Sequence, residues 1–176
     1  MRLADGKRVA LVQTRESPIH GTGVFAARRI RKGARVIEYV GERVSHAEAD
    51  RRYEDKDAND NHTFLFIVDR RTVIDAGVGG NAARFINHSC APNCETVIED
   101  RRVFIYAMCD IAPGEELTYD YLIQREPDDP PDVEAVYRCR CRAATCRGTM
   151  LAPKRMARRN RAAEDPPAKR EARRAG

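Results

Sequence analysis

Three cysteines near the C-terminal end, Cys139, Cys141 and Cys146, form a CxCx4C cluster. Zinc binds thiolates tetrahedrally, so this cluster supplies three ligands and requires a fourth from elsewhere. Cys90, Cys94 and Cys109 are the remaining cysteines, and spacing alone does not choose among them. Three free thiols are the plainer alternative. Upstream, residues 80–90 (GNAARFINHSC) gather Asn87, His88 and Ser89 in one loop. Such a group is a poor core and needs hydrogen-bond partners or a ligand. Adjacent Ser89 and His88 do not make a hydrolytic triad, and no GxSxG elbow is present. In residues 17–25, Gly21 and Gly23 flank Thr22 and let backbone approach a ligand closely. The third glycine of a dinucleotide fingerprint is absent, and a plain turn would read the same way. Tyr119 and Tyr121 lie two apart in GEELTYDY, so on a strand they face one side.

The elements that must position these residues read as short strands. Residues 9–13, 24–27, 36–40, 63–69, 72–75, 96–99 and 103–108 are rich in Val, Ile, Phe and Tyr and are separated by turns. Residues 69–71 and Asp100-Arg101 fit tight hairpins, and Gly33 and Gly114 fit turn positions with positive φ. One helix is predicted over 46–53, with Ser45 as cap and Glu48 completing a capping box, and a second over 81–87. Few long helices separate the strands, which argues against a doubly wound parallel sheet.

The 176 residues suffice for one domain with a core. No apolar run approaches the roughly 20 residues that span a bilayer. The first residues carry no apolar signal-peptide core, so secretion by that route is not expected and a metal site is the better reading of clustered cysteines than disulfides. Residues 126–134 hold three prolines and five acids and read as a linker or exposed loop. Residues 152–176 hold nine Lys or Arg against three acids, which accounts for the whole formal charge of +5 and leaves the body near neutral. That tail lacks aromatic residues and cannot bury enough surface to fold alone.

HGTGVFA (20–26), GNAARFINHSC (80–90), PNC (92–94), GEELTYDY (114–121) and CRCRAATCRGTM (139–150) occur in this order. Together they resemble the signatures of SET-domain protein-lysine methyltransferases with a post-SET zinc-binding segment, over about residues 8–151. The resemblance implies a mainly β fold of several small sheets with short helices and a knot-like C-terminal crossing near Tyr121 and Asn87. It divides the chain into a SET domain (1–125), an acidic proline-rich linker (126–135), a post-SET segment (136–152) and a basic tail (153–176). It implies transfer of one or two methyls from S-adenosylmethionine to a lysine of a basic protein such as a histone. The location is then nuclear for a eukaryotic or host-directed chain and cytoplasmic for a bacterial one.

Roles follow from the matched motifs. His20, Thr22 and Gly23 are similar to the loop around the methionine end of the cofactor, Asn87 and His88 to the backbone contacts of its adenine. Arg140 and Phe64 fall near the same pocket. Cys90 is implied as the fourth ligand of one structural zinc with Cys139, Cys141 and Cys146, leaving Cys94 and Cys109 as buried thiols. Tyr121 matches the catalytic tyrosine, and Tyr119 and Tyr39 would wall the lysine channel. An apolar channel lowers the amine pKa from about 10.4 and so supplies the neutral nucleophile. The resemblance departs in two places: no cysteine-rich cluster precedes the domain, and the insert over 45–62 is short. Two further readings stand beside it: a zinc-containing protein whose basic tail contacts nucleic acid non-specifically, and a catalytically inert module that binds peptides.

Overall fold

The computed structural model describes residues 10–54, 63–127 and 129–154. The predicted tail beyond Lys154, residues 55–62 of the short insert and Val9 of the first predicted strand lie outside the described residues.

Among the described residues, ten strands form three small sheets. β1 (Val12–Glu16), β2 (Thr22–Ala26), β10 (Glu116–Tyr119) and β7 (Asn87–His88) form one, in that order. β3 (Arg35–Tyr39), β9 (Arg102–Ala107) and β8 (Cys94–Glu99) form the second, and β4 (Glu42–Val44), β6 (Thr72–Asp75) and β5 (Leu65–Asp69) the third. The expected mainly β architecture is thus observed, and β4 is a strand that local patterning did not suggest. The apolar side chains of these strands meet in one cluster that includes Val24, Ile74, Val103, Ile105 and Leu117. Burial of such side chains drives the packing of the sheets.

Turn chemistry sets the hairpins. Asp100 (φ 48°) and Arg101 (φ 63°) occupy the left-handed region on the β8–β9 turn, as a two-residue hairpin with the twist of its strands requires. Gly33 (φ 76°) and Gly114 (φ 83°) take the positive φ expected of them.

The helix α1 spans His46–Tyr53, and Ser45 Oγ accepts the Glu48 N–H at 3.2 Å. The other half of the predicted capping box is replaced: the Glu48 carboxylate binds Arg51 and Arg52. Arg52 also reaches Glu42 and the buried Asp75, each at 2.9 Å, and so ties α1 to β4 and β6. The predicted helix over 81–87 is only one 3-10 turn, Ala82–Phe85. Ile86 already has extended geometry, and Asn87–His88 leave to pair in parallel with Thr118 and Tyr119. That pairing brings two distant motifs together. Within the acidic stretch, a single helical turn α2 (Val133–Val136) buries Val133.

Candidate functional site

The cavity is built around Asn87. Its side-chain amide donates to Glu116 Oε1 at 2.9 Å and to the carbonyls of His20 and Thr22 at 3.2 Å. Glu116 Oε1 also accepts the Ser17 hydroxyl at 2.7 Å. One carboxylate oxygen therefore fixes both the loop before β2 and the strand β7. Gly23 is a glycine because Glu116 lies against it: a Cβ there would overlap Glu116 Oε1 and stand 2.9 Å from Ser17 Cβ. Gly23→Ala should thus displace Glu116 from Ser17 and Asn87 and destabilise the chain by about 1–3 kcal/mol, as buried polar groups left unpaired require. Denaturant unfolding against the parent checks this.

A cavity of about 280 Å³ opens beside that loop. His20, Thr22, Phe64, Asn87, His88 and Arg140 line it, as does Tyr121. Gly23 lies behind the wall, under Glu116. Arg84, Phe85, Arg138, Met150 and the α2 residues Ala135 and Val136 also line it, none of them assigned a role from the motifs. The Arg84 guanidinium stacks 4.6 Å from the Phe85 ring and donates to the Ala76 carbonyl at 3.0 Å. Phe64 meets Phe85 edge-on at 5.6 Å. This aromatic and cationic wall suits a flat, electron-rich ring system.

Three tyrosines converge here. The Tyr119 and Tyr121 rings lie 4.9 Å apart, although β10 ends at Tyr119 and Tyr121 stands beyond it. The reading of both on one strand is corrected: beyond Tyr119 the ladder stops, and the Tyr121 N–H goes to the His88 side chain instead of a strand partner. Tyr121 Oη donates to the Ile86 carbonyl at 2.8 Å and Tyr39 Oη to the Phe64 carbonyl at 2.9 Å. Burial, with the Tyr121 phenol adding to it, pushes the Tyr39 and Tyr119 hydroxyls well above their usual range. Burial does the same for Tyr121, with Glu116 adding to it. These phenols are therefore protonated hydrogen-bond donors at neutral pH and not proton acceptors.

The four sulfurs of Cys90, Cys139, Cys141 and Cys146 lie within 4.8 Å of one another. Cys90 Sγ is 3.7 Å from Cys139 Sγ and 4.0 Å from Cys146 Sγ. Tetrahedral zinc with bonds of about 2.3 Å needs sulfurs about 3.8 Å apart, so the set fits the ion. Each sulfur also accepts one backbone N–H: Cys90 from Arg147, Cys139 from Cys141, Cys141 from Cys90, and Cys146 from Gly148. Such bonds stabilise thiolates. Cys94 is buried at 0 % exposure in the core, and its thiol is pushed up to about 12 chiefly by that burial. Cys109 is exposed at the end of β9 and is not the buried thiol that was expected.

His88 stands between the cysteines and the tyrosines. Its Nδ1 accepts the Tyr121 N–H at 3.1 Å, so the proton is on Nε2, 3.3 Å from Cys90 Sγ. Burial lowers the imidazole pKa to about 4, against the pull of Asp120.

The family model of the SET domain matches residues 21–122. The chain is 44% identical over 147 residues to a Saccharomyces cerevisiae protein named histone-lysine N-methyltransferase, H3 lysine-4 specific, covering 81% of this chain and 13% of that protein. A Schizosaccharomyces pombe protein of the same name is 45% identical over 139 residues, covering 75% of this chain and 14% of its own length. The chain thus spans about an eighth to a seventh of these relatives. Among solved structures, a chain of the ctPRC2 complex with H3K27me3 and H3K27M superposes with a TM-score of 0.59 and 36% identity, over 62% of this chain and 14% of that one.

Proposed function

The chain belongs to the SET-domain family, and on that premise we propose that it is a protein-lysine N-methyltransferase that modifies a histone-type tail, with lysine 4 of histone H3 as the first substrate to test. The observation that carries this reading is the pairing of Tyr119 and Tyr121, rings 4.9 Å apart, at an aromatic-lined cavity that Tyr121 enters, with Tyr39 packed in the core nearby. The names of the relatives support the choice of H3 lysine 4.

S-adenosylmethionine, when bound, supplies an electrophilic methyl on a sulfonium. His20, Thr22, Asn87, His88, Phe64 and Arg140 hold it; Gly23 acts through the space it leaves for Glu116. Tyr39, Tyr119 and Tyr121 exclude water from the lysine amine, which favours its neutral form. The Tyr121 hydroxyl orients the amine lone pair toward the methyl, and the ring faces favour the cation that forms. The amine proton leaves to water before the amine is enclosed, since the three phenols are already protonated and do not accept it. The four cysteines hold one zinc ion, whose role is structural: it keeps Arg140 and Met150 against the cavity. The basic tail adds non-specific, salt-sensitive contact with nucleic acid near a chromatin substrate.

Incubation with S-adenosylmethionine and peptides of the H3 tail, read by mass spectrometry, tests this reading. Mono- and dimethylated lysine 4 is expected, because the Tyr119 hydroxyl crowds the amine. Tyr119→Phe enlarges the channel and should shift the main product upward by at least one methyl. Trimethylated peptide as the main product of the unmodified enzyme contradicts the role given to Tyr119.

A further inference from the structure

We infer that Asp120 and Arg147 form a latch between the four-cysteine cluster and Tyr121, and that both are positioning residues for methyl transfer. The catalytic part of this inference rests on the function proposed above. The mechanical part does not.

Arg147 directly follows Cys146, and Asp120 directly precedes Tyr121. Their side chains form two parallel bonds, Nη1 to Oδ2 at 2.7 Å and Nη2 to Oδ1 at 2.8 Å. Side-chain exposures of 26% and 21% place the pair away from bulk solvent, where a bidentate fork is specific in geometry as well as strong. The Arg147 Nε is buried without a partner among the described residues. This desolvation cost is offset by the fork. At its other end Arg147 donates its backbone N–H to Cys90 Sγ at 3.4 Å. Four thiolates around one divalent ion carry net negative charge, which further holds the guanidinium in place.

Asp120 converts this anchor into a backbone shape. Its Oδ1 accepts the Leu122 N–H at 3.2 Å, closing a turn across Tyr121. Leu122 has φ 48°, a conformation a branched side chain adopts only when its surroundings impose it. The turn has Tyr121 at its centre, and the Tyr121 hydroxyl donates to the Ile86 carbonyl. A second arm runs in parallel: Cys90 Sγ faces His88 Nε2, and His88 Nδ1 accepts the Tyr121 N–H. The cysteine cluster therefore reaches the amides of both Tyr121 and Leu122 by two coupled arms, which share Cys90 Sγ and meet where His88 Nδ1 lies 3.6 Å from Asp120 Oδ1. A shift of about 1 Å in a positioned group can cost about a hundredfold in rate.

The test is hydrogen exchange on the full chain, resolved to single amides by NMR. It compares the zinc-loaded parent, the chelated parent, Arg147→Gln, Asp120→Asn and the double variant. Exchange at Tyr121 and Leu122 should rise about tenfold or more in each altered form, while the β8–β9 amides stay as in the parent. The double variant should exchange no faster than the worse single, because both residues serve one latch. In parallel, kcat should fall about 10- to 100-fold in each single variant, with KM for S-adenosylmethionine changing less than about threefold. Arg147→Lys keeps the charge without the fork and should recover only part of kcat. Arg29→Gln, which breaks a remote surface pair with Asp110, is the control that leaves exchange and kcat alone. Parent-like protection of Tyr121 and Leu122 in Arg147→Gln and Asp120→Asn overturns the latch. Absence of methyl transfer in the parent overturns the function and leaves the exchange result standing.

Discussion

Tyr121→Phe should lower kcat about 10²- to 10³-fold while changing the affinity for S-adenosylhomocysteine by less than a few fold. The substitution removes one hydroxyl. That hydroxyl is 2.8 Å from the Ile86 carbonyl and is held protonated by burial. The ring contacts with Tyr119 and His88, at 4.9 and 5.3 Å, do not depend on it. The cavity wall and fold therefore survive, at a stability cost of about 1 kcal/mol for the lost bond. A hydroxyl that orients the nucleophile acts in the transition state, so its loss appears in kcat, with the magnitude seen when one positioned donor is removed. Single-turnover transfer and calorimetric titration read the two quantities separately. Equal losses in kcat and in cofactor affinity would mean that Tyr121 is a wall of the pocket and not its working group.

The second large effect concerns the metal. Cys90→Ser should abolish stoichiometric zinc, lower the melting temperature and reduce methyl transfer at least about a hundredfold. Cys90 joins loop 87–90 to the segment 139–150, and its sulfur meets Cys139, Cys146 and the Arg147 N–H. Between Val133 and Leu151 no described residue is fully buried, so apolar packing alone holds this segment weakly. Zinc held by the four cysteines would therefore supply much of its folding free energy, of the kind that makes small zinc sites fold only when loaded. Arg138, Arg140 and Met150 line the cavity from this segment and leave with it. Elemental analysis, thermal melting and initial rates, with and without chelator, check the three parts. Cys94→Ser is the contrast. It places a hydroxyl in the core and should destabilise the chain by about 1–3 kcal/mol with zinc content unchanged.

Residue patterns made the strands legible wherever alternation was strong. The Asp100-Arg101 hairpin, the Ser45 cap and the turns at Gly33 and Gly114 follow from local chemistry that tertiary structure had no reason to override. Three features were not legible for a common reason, since each is settled by partners far along the chain. β4 has two charged residues in three and exists because β6 offers it a ladder. The helical pattern over 81–87 stops early because Asn87 and His88 find β10. The zinc-ligand spacing left three cysteines open, and only the fold separates Cys90 from buried Cys94 and exposed Cys109. Glu116 stood inside a quoted motif without a role. A strand reading shows which way its side chain points but not that Asn87 and Ser17 share its carboxylate.

The central claim is that this site moves a methyl group onto a lysine. The most direct test supplies S-adenosylmethionine labelled in its methyl, the zinc-loaded chain and histone octamers, then hydrolyses the protein product and identifies the labelled amino acid. Label in N-methyllysine, confined to H3 and lost when H3 lysine 4 is replaced by alanine, is the expected result. Label in methylarginine, or no label from a chain that binds the cofactor and is offered a panel of basic proteins, would contradict it.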